Sequence, residues 1–424
     1  MKYFIIKFLK FIKRVVFRII LFLKKGNSAT NHFANIFSVL FPKFDYQIFA
    51  FENLYNYTSS HSNKSIILDN RSLSLTYCPP AFNQPRPVLM SKSERPGFKQ
   101  YVALLNEVEV IGGSNLILLD NMKALYDIKY FDIHNKILYS DQGIRFYHKE
   151  HLLIKKLHST ITYDVGIFLG GNFSWNYYHF LYEILVKFER ISTMELDQSI
   201  PIFVDKICLE VPQYLELLSM LNTENRKLIP IEKCVRYKVK QLYYISCPNI
   251  IPPDLLNPSD LNPDDVLFDL NILDFLRLKM LPHSSNTSFP KRFYISRKNA
   301  SNRRQFNENE VFNVLKRYGF QSVLPENYSI ADQISLFNNA EFIAGGAGAA
   351  LTNLLFCSKS CKVIAFSKNP VQFSGFSTIA KHVGAEMLTY TENISNSDNL
   401  QDLHESFLID TERLDLLLSE WINT

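Results

Sequence analysis

Residues 291–367 decide the fold class. They open with KRFYISRKNASNRRQFNENEV and close with IAGGAGAALTNLLFCSKSCKVIAFS. Short β-rich runs alternate with helical patterns along this stretch. The predicted order is strand 293–296, helix 307–318, strand 320–324, helix 329–338, strand 341–344, a glycine turn, a helix from 349, and strand 362–366. Strands that alternate with helices in this way predict βαβ units and a parallel sheet.

The glycine turn is the first candidate binding element. Gly345, Gly346 and Gly348 follow a predicted strand and precede a predicted helix. Such a turn lets backbone N–H groups approach a phosphate, and the helix N-terminus adds its dipole. Leu351 stands where a dinucleotide fingerprint has its third glycine, and no Walker ending follows. The turn therefore indicates either an anion site or a purely structural tight turn.

A basic loop follows the first strand of the same stretch. It carries Arg297, Lys298, Arg303 and Arg304. Arginine forks match phosphate oxygens in a bidentate way. The alternative is a solvated basic loop. Because the carboxyl ends of parallel strands meet at one sheet edge, the loop and the glycine turn together favour a nucleotide diphosphate as ligand.

Length and composition favour a large enzyme with two domains. The chain has 424 residues, of which 47% are hydrophobic and 21% charged, so it can bury sizeable cores. Prolines mark 248–263 as a linker, and a helix over 264–280 is expected to open the second domain. We therefore predict an N-terminal domain over 45–263 and a C-terminal domain over 264–400. The remaining segment, 401–424, includes a capped helix from Asp410 to Trp421 that could pack back across both domains.

The first 25 residues, MKYFIIKFLKFIKRVVFRIILFLKK, hold eight of the lysines and arginines and no acidic residue. The net charge of +5 is therefore local, and general affinity for nucleic acid is not expected. The charges recur every three or four residues, with Ile and Leu opposite. This pattern predicts, over 1–27, a basic amphipathic helix in the membrane interface, attracted by anionic lipid, and a peripheral location on the cytoplasmic face of the cell membrane. The alternatives are a helix packed on its own domain and a partner-binding helix.

Residues 163–191 predict a strand, a glycine turn and a long helix. An apolar stripe runs along that helix, and His179 and Glu183 lie one turn apart, roughly opposite the stripe. An i,i+4 pair of this kind can act as a general base with its orienting carboxylate. The alternative is a surface helical pair.

The six cysteines are scattered and predict structural thiols rather than a metal site. Cys357 and Cys361 lie four residues apart, but no second ligand pair accompanies them.

Three motifs coincide in a fixed order and resemble glycosyltransferase family 61, once called DUF563, over roughly residues 100–370. They are Asn176-Tyr-Tyr-His179 with Glu183; Tyr294-Ile-Ser-Arg297 with Arg303, Arg304 and Asn307-Glu308; and Gly348-Ala349-Ala350-Leu351-Thr352-Asn353. The resemblance implies an α/β protein of GT-B type, with two Rossmann-like domains facing across a cleft. It also implies inverting transfer from a nucleotide sugar, usually a UDP-sugar, with no bound metal and no other cofactor.

The resemblance assigns roles to domains and residues. It implies an acceptor-side domain over 45–263 and a nucleotide-sugar-binding domain over 264–400. Arg297, the turn from Gly346 to Asn353, and the basic loop would hold the diphosphate, while Asn176, His179 and Glu183 would face them from the other domain. The residues expected to bind the donor are Asn176, Arg303, Arg304, Glu308, Gly346, Gly348, Ala349, Leu351, Thr352 and Asn353. Many relatives carry His where this chain has Ala347, so the donor site is altered if that His holds the diphosphate.

The expected reaction is attack by a glycan hydroxyl on the anomeric carbon of a UDP-sugar. His179, tuned by Glu183, would remove the hydroxyl proton, and Arg297 would neutralise the departing diphosphate. The acceptor would be a glycan or a lipid-linked oligosaccharide in capsule or lipopolysaccharide synthesis. Two alternatives remain open: a polysaccharide pyruvyl transferase, and a non-catalytic membrane-bound partner of a polysaccharide assembly complex.

Overall fold

The structure is a computed structural model, and it describes residues 46–60, 65–70, 99–130, 136–139, 141–148, 150–157, 159–252, 255–256, 265–299, 305–367, 373–390 and 406–422. Sixteen strands lie in these ranges and form two sheets. The predicted N-terminal amphipathic helix lies outside the described residues, and so do Arg303, Arg304 and most of the predicted proline linker.

The first sheet has eleven strands and mixed direction. Its strands are β1 (Tyr46–Asn53), β2 (Ser65–Asn70), β3 (Lys99–Ile111), β4 (Ile117–Leu119), β5 (Lys123–Tyr126), β6 (Ile144–His148), β7 (His151–Lys155), β8 (Ser159–Phe168), β9 (Ile202–Asp205), β10 (Leu228–Ile231) and β11 (Arg236–Ile245). Their order is β10-β9-β8-β11-β3-β4-β5-β1-β7-β6, and β2 also pairs with β3. The run β10-β9-β8-β11 is parallel, whereas β11 meets β3 antiparallel.

The second sheet is fully parallel, as the opening stretch predicts. It contains β12 (Arg292–Ile295), β13 (Gln321–Val323), β14 (Phe342–Gly346), β15 (Lys362–Phe366) and β16 (Glu386–Tyr390), in the order β13-β12-β14-β15-β16. Along β14, Ile343 joins one apolar core while its neighbours Phe342 and Ala344 join another. Both faces of the sheet are therefore covered, as parallel sheets require.

Helices fill the space beside the sheets. The α-helices of the described chain outside the 177–193 segment are Leu54–Ser60, Ile207–Glu210, Pro212–Leu221, Leu270–Met280, Glu308–Arg317, Ile330–Asn338, Ser374–Val383 and Thr411–Trp421. Short 3₁₀ turns occur at Ile128–Tyr130, Leu281–His283 and Pro325–Asn327, and a longer one at Ala349–Phe356. Within the described ranges, no helix is both long enough and apolar enough to cross a bilayer.

Two predicted helix boundaries change for identifiable reasons. The helix expected over 264–280 begins at Leu270, because the side chain of Asp269 caps it and Leu267 pairs with Ile250 in a β-bridge. The helix expected from 349 is a 3₁₀ helix, Ala349–Phe356. The helix expected near the C-terminus is confirmed at Thr411–Trp421, with Asp410 as its N-cap, and it packs on the core of the second sheet.

One apolar core joins the two sheets. It runs from Ile167 and Val204 of the first sheet, through the helical segment 177–193, to Phe293 and Ile343 of the second. The α/β class is therefore confirmed, and the segment 177–193 lies where the two sheets share their core.

Candidate active site

The segment 177–193 begins at a well-defined cap. The side chain of Asn176 accepts a hydrogen bond of 3.0 Å from the N–H of Tyr178, which satisfies a donor of the first turn. Four helical pieces follow: α-helical Tyr177–His179, π-helical Phe180–Ile184, 3₁₀ Leu185–Lys187 and α-helical Phe188–Thr193. Single π turns inside helices occur frequently at functional sites.

His179 and Glu183 contact each other across this π turn. Nδ1 of His179 meets Oε2 of Glu183, and the two side chains are 14% and 19% exposed. The pair is therefore partly buried, rather than solvated on the surface or enclosed in the core. Since Glu183 holds Nδ1, the other ring nitrogen, Nε2, is the one that can exchange a proton with a ligand.

Phe173 holds the imidazole from one side. Its ring stacks on His179 with centroids 4.9 Å apart and planes 28° apart. Its φ of 63° lies in the left-handed region, which an aromatic residue rarely adopts. The backbone is fixed there by bonds from Phe173 N–H to Asn172 Oδ1, at 3.1 Å, and from Asn176 N–H to the Phe173 carbonyl, at 2.7 Å. Strain of this kind concentrates at sites where a side chain must be held in place.

Asp205 ties two glycine turns together beneath the pair. Its Oδ1 accepts from Gly113 N–H at 2.6 Å, and its Oδ2 accepts from Gly171 N–H at 2.9 Å. Asp205 ends β9, next to the end of β8, so it lies at the carboxyl edge of the parallel strands. Burial raises the pKa of the Asp205 carboxyl from 3.8 to about 6, although the two N–H donors oppose the shift.

This raised pKa predicts a measurable pH dependence of stability. A carboxyl whose pKa is higher in the folded state favours folding below its unfolded pKa, and that contribution disappears as pH rises through about 6. Between pH 4 and pH 7, the free energy of unfolding of Asp205→Asn should fall by about 2 kcal/mol less than that of the wild type. Urea unfolding at several pH values in this window measures it.

Asp164→Asn is the control for that experiment, because Asp164 is 84% exposed and pairs with Lys240 on the surface. It should reproduce the wild-type pH dependence. A wild-type slope retained in Asp205→Asn would contradict the assignment of the raised pKa to Asp205.

The first and third sequence motifs meet directly. The Tyr177 hydroxyl donates to Asn353 Oδ1 at 2.7 Å, and Asn353 Nδ2 donates to Gln333 Oε1 at 2.8 Å. The Tyr182 hydroxyl donates to the Thr352 carbonyl at 2.9 Å. Thr352 and Asn353 are fully buried. Their contacts fix the segment 177–193 against the 3₁₀ helix that follows the glycine turn.

Arg297 links the second motif to the third. Its Nη1 donates to the Ala347 carbonyl, and its backbone N–H donates to Glu308 Oε1 at 2.9 Å. Burial lowers the pKa of the Arg297 guanidinium, but arginine remains protonated at neutral pH. The side chain therefore supplies a partly buried positive charge at the carboxyl ends of β12 and β14.

The glycines of the turn make room for this arginine. A Cβ at Gly348 would lie 3.0 Å from Arg297 Nη1, and a Cβ at Gly346 would lie 3.0 Å from Arg297 Cδ and 2.9 Å from Phe306. Gly348 itself is extended, with φ of −174°. The close approach of the guanidinium, rather than an unusual backbone angle, is thus what requires glycine here.

The structure brings together three of the groups predicted from the sequence: the His179–Glu183 pair, the glycine turn and Arg297. The capped helix start with His179 and Glu183 contacts the turn 346–353, and that turn contacts Arg297 and, through it, Glu308. Gly348 and Ala349 are partly exposed, while Leu351, Thr352 and Asn353 are buried. Arg303 and Arg304 lie outside the described ranges. In the described part of the chain, no group of His, Cys, Asp and Glu has the arrangement of a metal site.

Sequence reasoning missed Phe173, Asp205 and Asn115. Asn115 Oδ1 accepts from Asn172 N–H at 2.8 Å and so holds the turn before the helix. Asp205 carried a usable signal, because it directly follows the apolar run Ile202–Val204 at a strand end. Phe173 carried none, since its role depends on a left-handed backbone that no sequence pattern indicates.

Residues 177–364 match the model of the family Glycosyltransferase 61. This match contains the His179–Glu183 pair, Arg297 and the glycine turn, and it confirms the family suggested by the three motifs. The family indicates a glycosyltransferase, which uses a sugar donor and a glycan acceptor. No curated protein matches the chain significantly.

Proposed function

We propose that this chain is an inverting glycosyltransferase that transfers a sugar from a nucleotide sugar, most simply a UDP-sugar, without a bound metal. The acceptor is a glycan or a lipid-linked oligosaccharide of a surface polysaccharide such as capsule or lipopolysaccharide. The observation that carries the proposal is the direct connection of the His179–Glu183 pair, through Tyr177 and Asn353, to the turn that holds Arg297.

In this reaction the acceptor hydroxyl attacks the anomeric carbon of the donor. A glycosidic C–O bond forms as the C–O bond to the diphosphate breaks, and the bonding electron pair leaves with the diphosphate oxygen. The hydroxyl proton passes to Nε2 of His179, and Glu183 at Nδ1 stabilises the resulting imidazolium. One displacement at the anomeric carbon inverts its configuration.

Arg297 and the glycine turn serve the leaving group. A guanidinium fork and the backbone N–H groups of the turn can neutralise the charge that develops on the diphosphate. The guanidinium is pre-positioned, because the Ala347 carbonyl holds it at the same sheet edge. The methyl side chain of Ala347 carries no charge and no hydrogen-bonding group. Arg297 is therefore the residue proposed to neutralise the diphosphate at this turn.

Trp175 offers a surface for the acceptor. Its side chain is 55% exposed beside Phe173, and its carbonyl accepts from the Tyr214 hydroxyl at 2.8 Å, which fixes the loop. An exposed indole with an apolar face and a polar edge suits a ligand that has both kinds of surface, as a sugar ring does. A membrane-interface helix over residues 1–27, as the sequence predicts, would keep the enzyme beside a lipid-linked acceptor.

Thermal stabilisation by nucleotides tests the proposal. A nucleotide that binds the folded protein at 100 times its Kd adds about 2.7 kcal/mol to the free energy of unfolding, which appears as a higher Tm. We expect UDP and UDP-sugars to raise Tm and GDP and CMP to have little effect. The UDP shift should persist in EDTA.

The other outcomes separate the alternatives. A UDP shift abolished by EDTA would contradict metal independence. Stabilisation by phosphoenolpyruvate in place of UDP would favour a pyruvyl transferase, and no shift with any nucleotide would favour a non-catalytic assembly partner.

A further inference from the structure

Lys187 is a buried cation close to the His179–Glu183 pair. It is 5% exposed, and its ammonium lies 5.4 Å from the centroid of the Tyr244 ring. Within the described ranges, Lys187 makes no hydrogen bond or ion pair at direct contact distance. A buried ammonium is costly unless charge and hydrogen bonds compensate it.

A small polar cavity adjoins this ammonium. Its volume is about 40 Å³, and its walls include Lys187, Glu183, Asp127, Asn115, Asn172 and Asn249. One water needs about 10–15 Å³ measured in this way and two to four polar partners. The cavity therefore has space and hydrogen-bonding groups for two or three water molecules, by the same measure.

One helical segment connects this cavity to the pair. His179, Glu183 and Lys187 lie four residues apart along it, but a π turn and a 3₁₀ turn separate them. The observed contact and the shared cavity wall, rather than α-helical spacing, therefore bring them together. Glu183 contacts His179 on one side and lines the cavity with Lys187 on the other.

Lys187 supplies a positive charge at the wall of this cavity, and the charge states of the groups around it decide which carboxylates it can balance. The titratable groups packed against Glu183 and Lys187 are His179 and Tyr178 on the same segment, Tyr126 and Asp127 at the end of β5, and Tyr244 and Cys247 at the end of β11. Burial raises the pKa of Tyr126, Tyr178, Tyr244 and Cys247 above their ordinary values, so these groups are neutral at pH 7. Burial also raises the pKa of Asp127, whereas hydrogen bonds from the Tyr101 hydroxyl and Cys247 N–H and the positive charge of Lys187 oppose that shift. Lys187 therefore faces two carboxylates across the cavity, Asp127 and Glu183.

We propose that Lys187 is a positioning residue whose ammonium, bridged by water in the cavity, balances the charge of the Glu183 carboxylate and fixes its orientation toward His179. This role rests on the proposed function, because it concerns the base of that reaction. The Lys187 ammonium thereby places a compensating positive charge across the cavity from Glu183, the carboxylate that holds His179 Nδ1.

Lys187→Met tests this role by keeping a long apolar side chain and removing the charge. The uncompensated Glu183 carboxylate should bind the His179 proton more tightly. We expect the titration midpoint of the His179 ring carbon, followed by NMR and assigned by its absence in His179→Gln, to move up by about one pH unit. The acidic limb of the pH–rate profile should move by the same amount.

Lys206→Met is the matched control, since Lys206 is an exposed lysine that pairs with Glu232; its His179 midpoint should equal that of the wild type. An unchanged midpoint in folded Lys187→Met would overturn the proposal. If that variant does not fold, Lys187→Gln, which keeps a donor for water but no charge, decides the same question by the same criterion. The ring titration needs no turnover, so failure of the proposed transferase activity would appear separately, as the absence of a UDP-dependent Tm shift.

Discussion

His179→Ala should lower turnover by a factor of about 10² to 10⁴, the usual contribution of a positioned general base. The variant loses the ring nitrogen that accepts the acceptor's proton but retains the Arg297 side of the site. Affinity for UDP should therefore stay close to that of the wild type. Steady-state rates with a UDP-sugar donor, together with a UDP titration by calorimetry, separate the two effects.

A second histidine–carboxylate pair provides the control. His382 lies at the same 14% side-chain exposure as His179, its Nε2 meets Asp274 Oδ1 at 2.7 Å, and neither residue belongs to the three motifs. His382→Ala should leave turnover unchanged. Near-normal turnover in His179→Ala would remove His179 from the role of base, and an equal loss in both variants would point to stability instead.

The second sheet was predictable because each of its signals is local. Ser329 caps a helix through its own side chain, Gly319 ends the helix before it with φ of 81°, and short runs of aromatic and aliphatic residues, such as Phe293–Ile295, mark the strands. Strands that alternate with helices in this way are expected to pair in parallel. Asn307 is the N-cap residue of the helix Glu308–Arg317, but its side chain makes no capping bond and instead bonds Glu310 and the backbone of Ile409.

The first sheet was less predictable because long-range pairing builds it. Strand β3 is 13 residues long, and its partners include β11, more than 120 residues away in sequence. The β-rich residues 137–139 form only a single bridge, between Ile137 and Leu255. Local propensity carries little information about such pairings, since cross-strand neighbours decide them.

The candidate site likewise contains contacts that local sequence spacing predicts and contacts that depend on long-range packing. His179 and Glu183 are four residues apart, so helical spacing alone predicts their contact. The Tyr177–Asn353 and Arg297–Ala347 contacts join residues 176 and 50 positions apart. Parallel-sheet topology predicted that Arg297 and the glycine turn meet at one sheet edge, whereas only the motif resemblance suggested that Tyr177 and Asn353 belong together. The sequence shows that Lys187 follows Glu183 by four residues. The burial of Lys187 and the cavity beside it depend instead on the packing of β5 and β11.

Arg297→Ala should weaken UDP binding by about 10- to 100-fold, as loss of hydrogen bonds to a charged group implies. Turnover should fall by about 10² to 10³, because the leaving diphosphate loses its pre-positioned cation. Arg297→Lys should recover only part of both losses, since an ammonium lacks the planar fork that binds two oxygens at once. Calorimetric titration with UDP and initial rates at saturating donor measure the two quantities.

Arg292→Ala is the matched control, because Arg292 lies at the other end of the same strand, β12. Its Nη1 donates to the Tyr318 carbonyl at 3.0 Å, and its guanidinium lies 5.0 Å from the Phe342 ring centroid. This variant should lose some stability but keep the UDP affinity of the wild type. The fold around position 297 should survive the substitution, since Glu308 bonds the backbone N–H there rather than the side chain. Wild-type UDP affinity in a folded Arg297→Ala would therefore exclude Arg297 from the donor site, and with it the link between the glycine turn and the diphosphate.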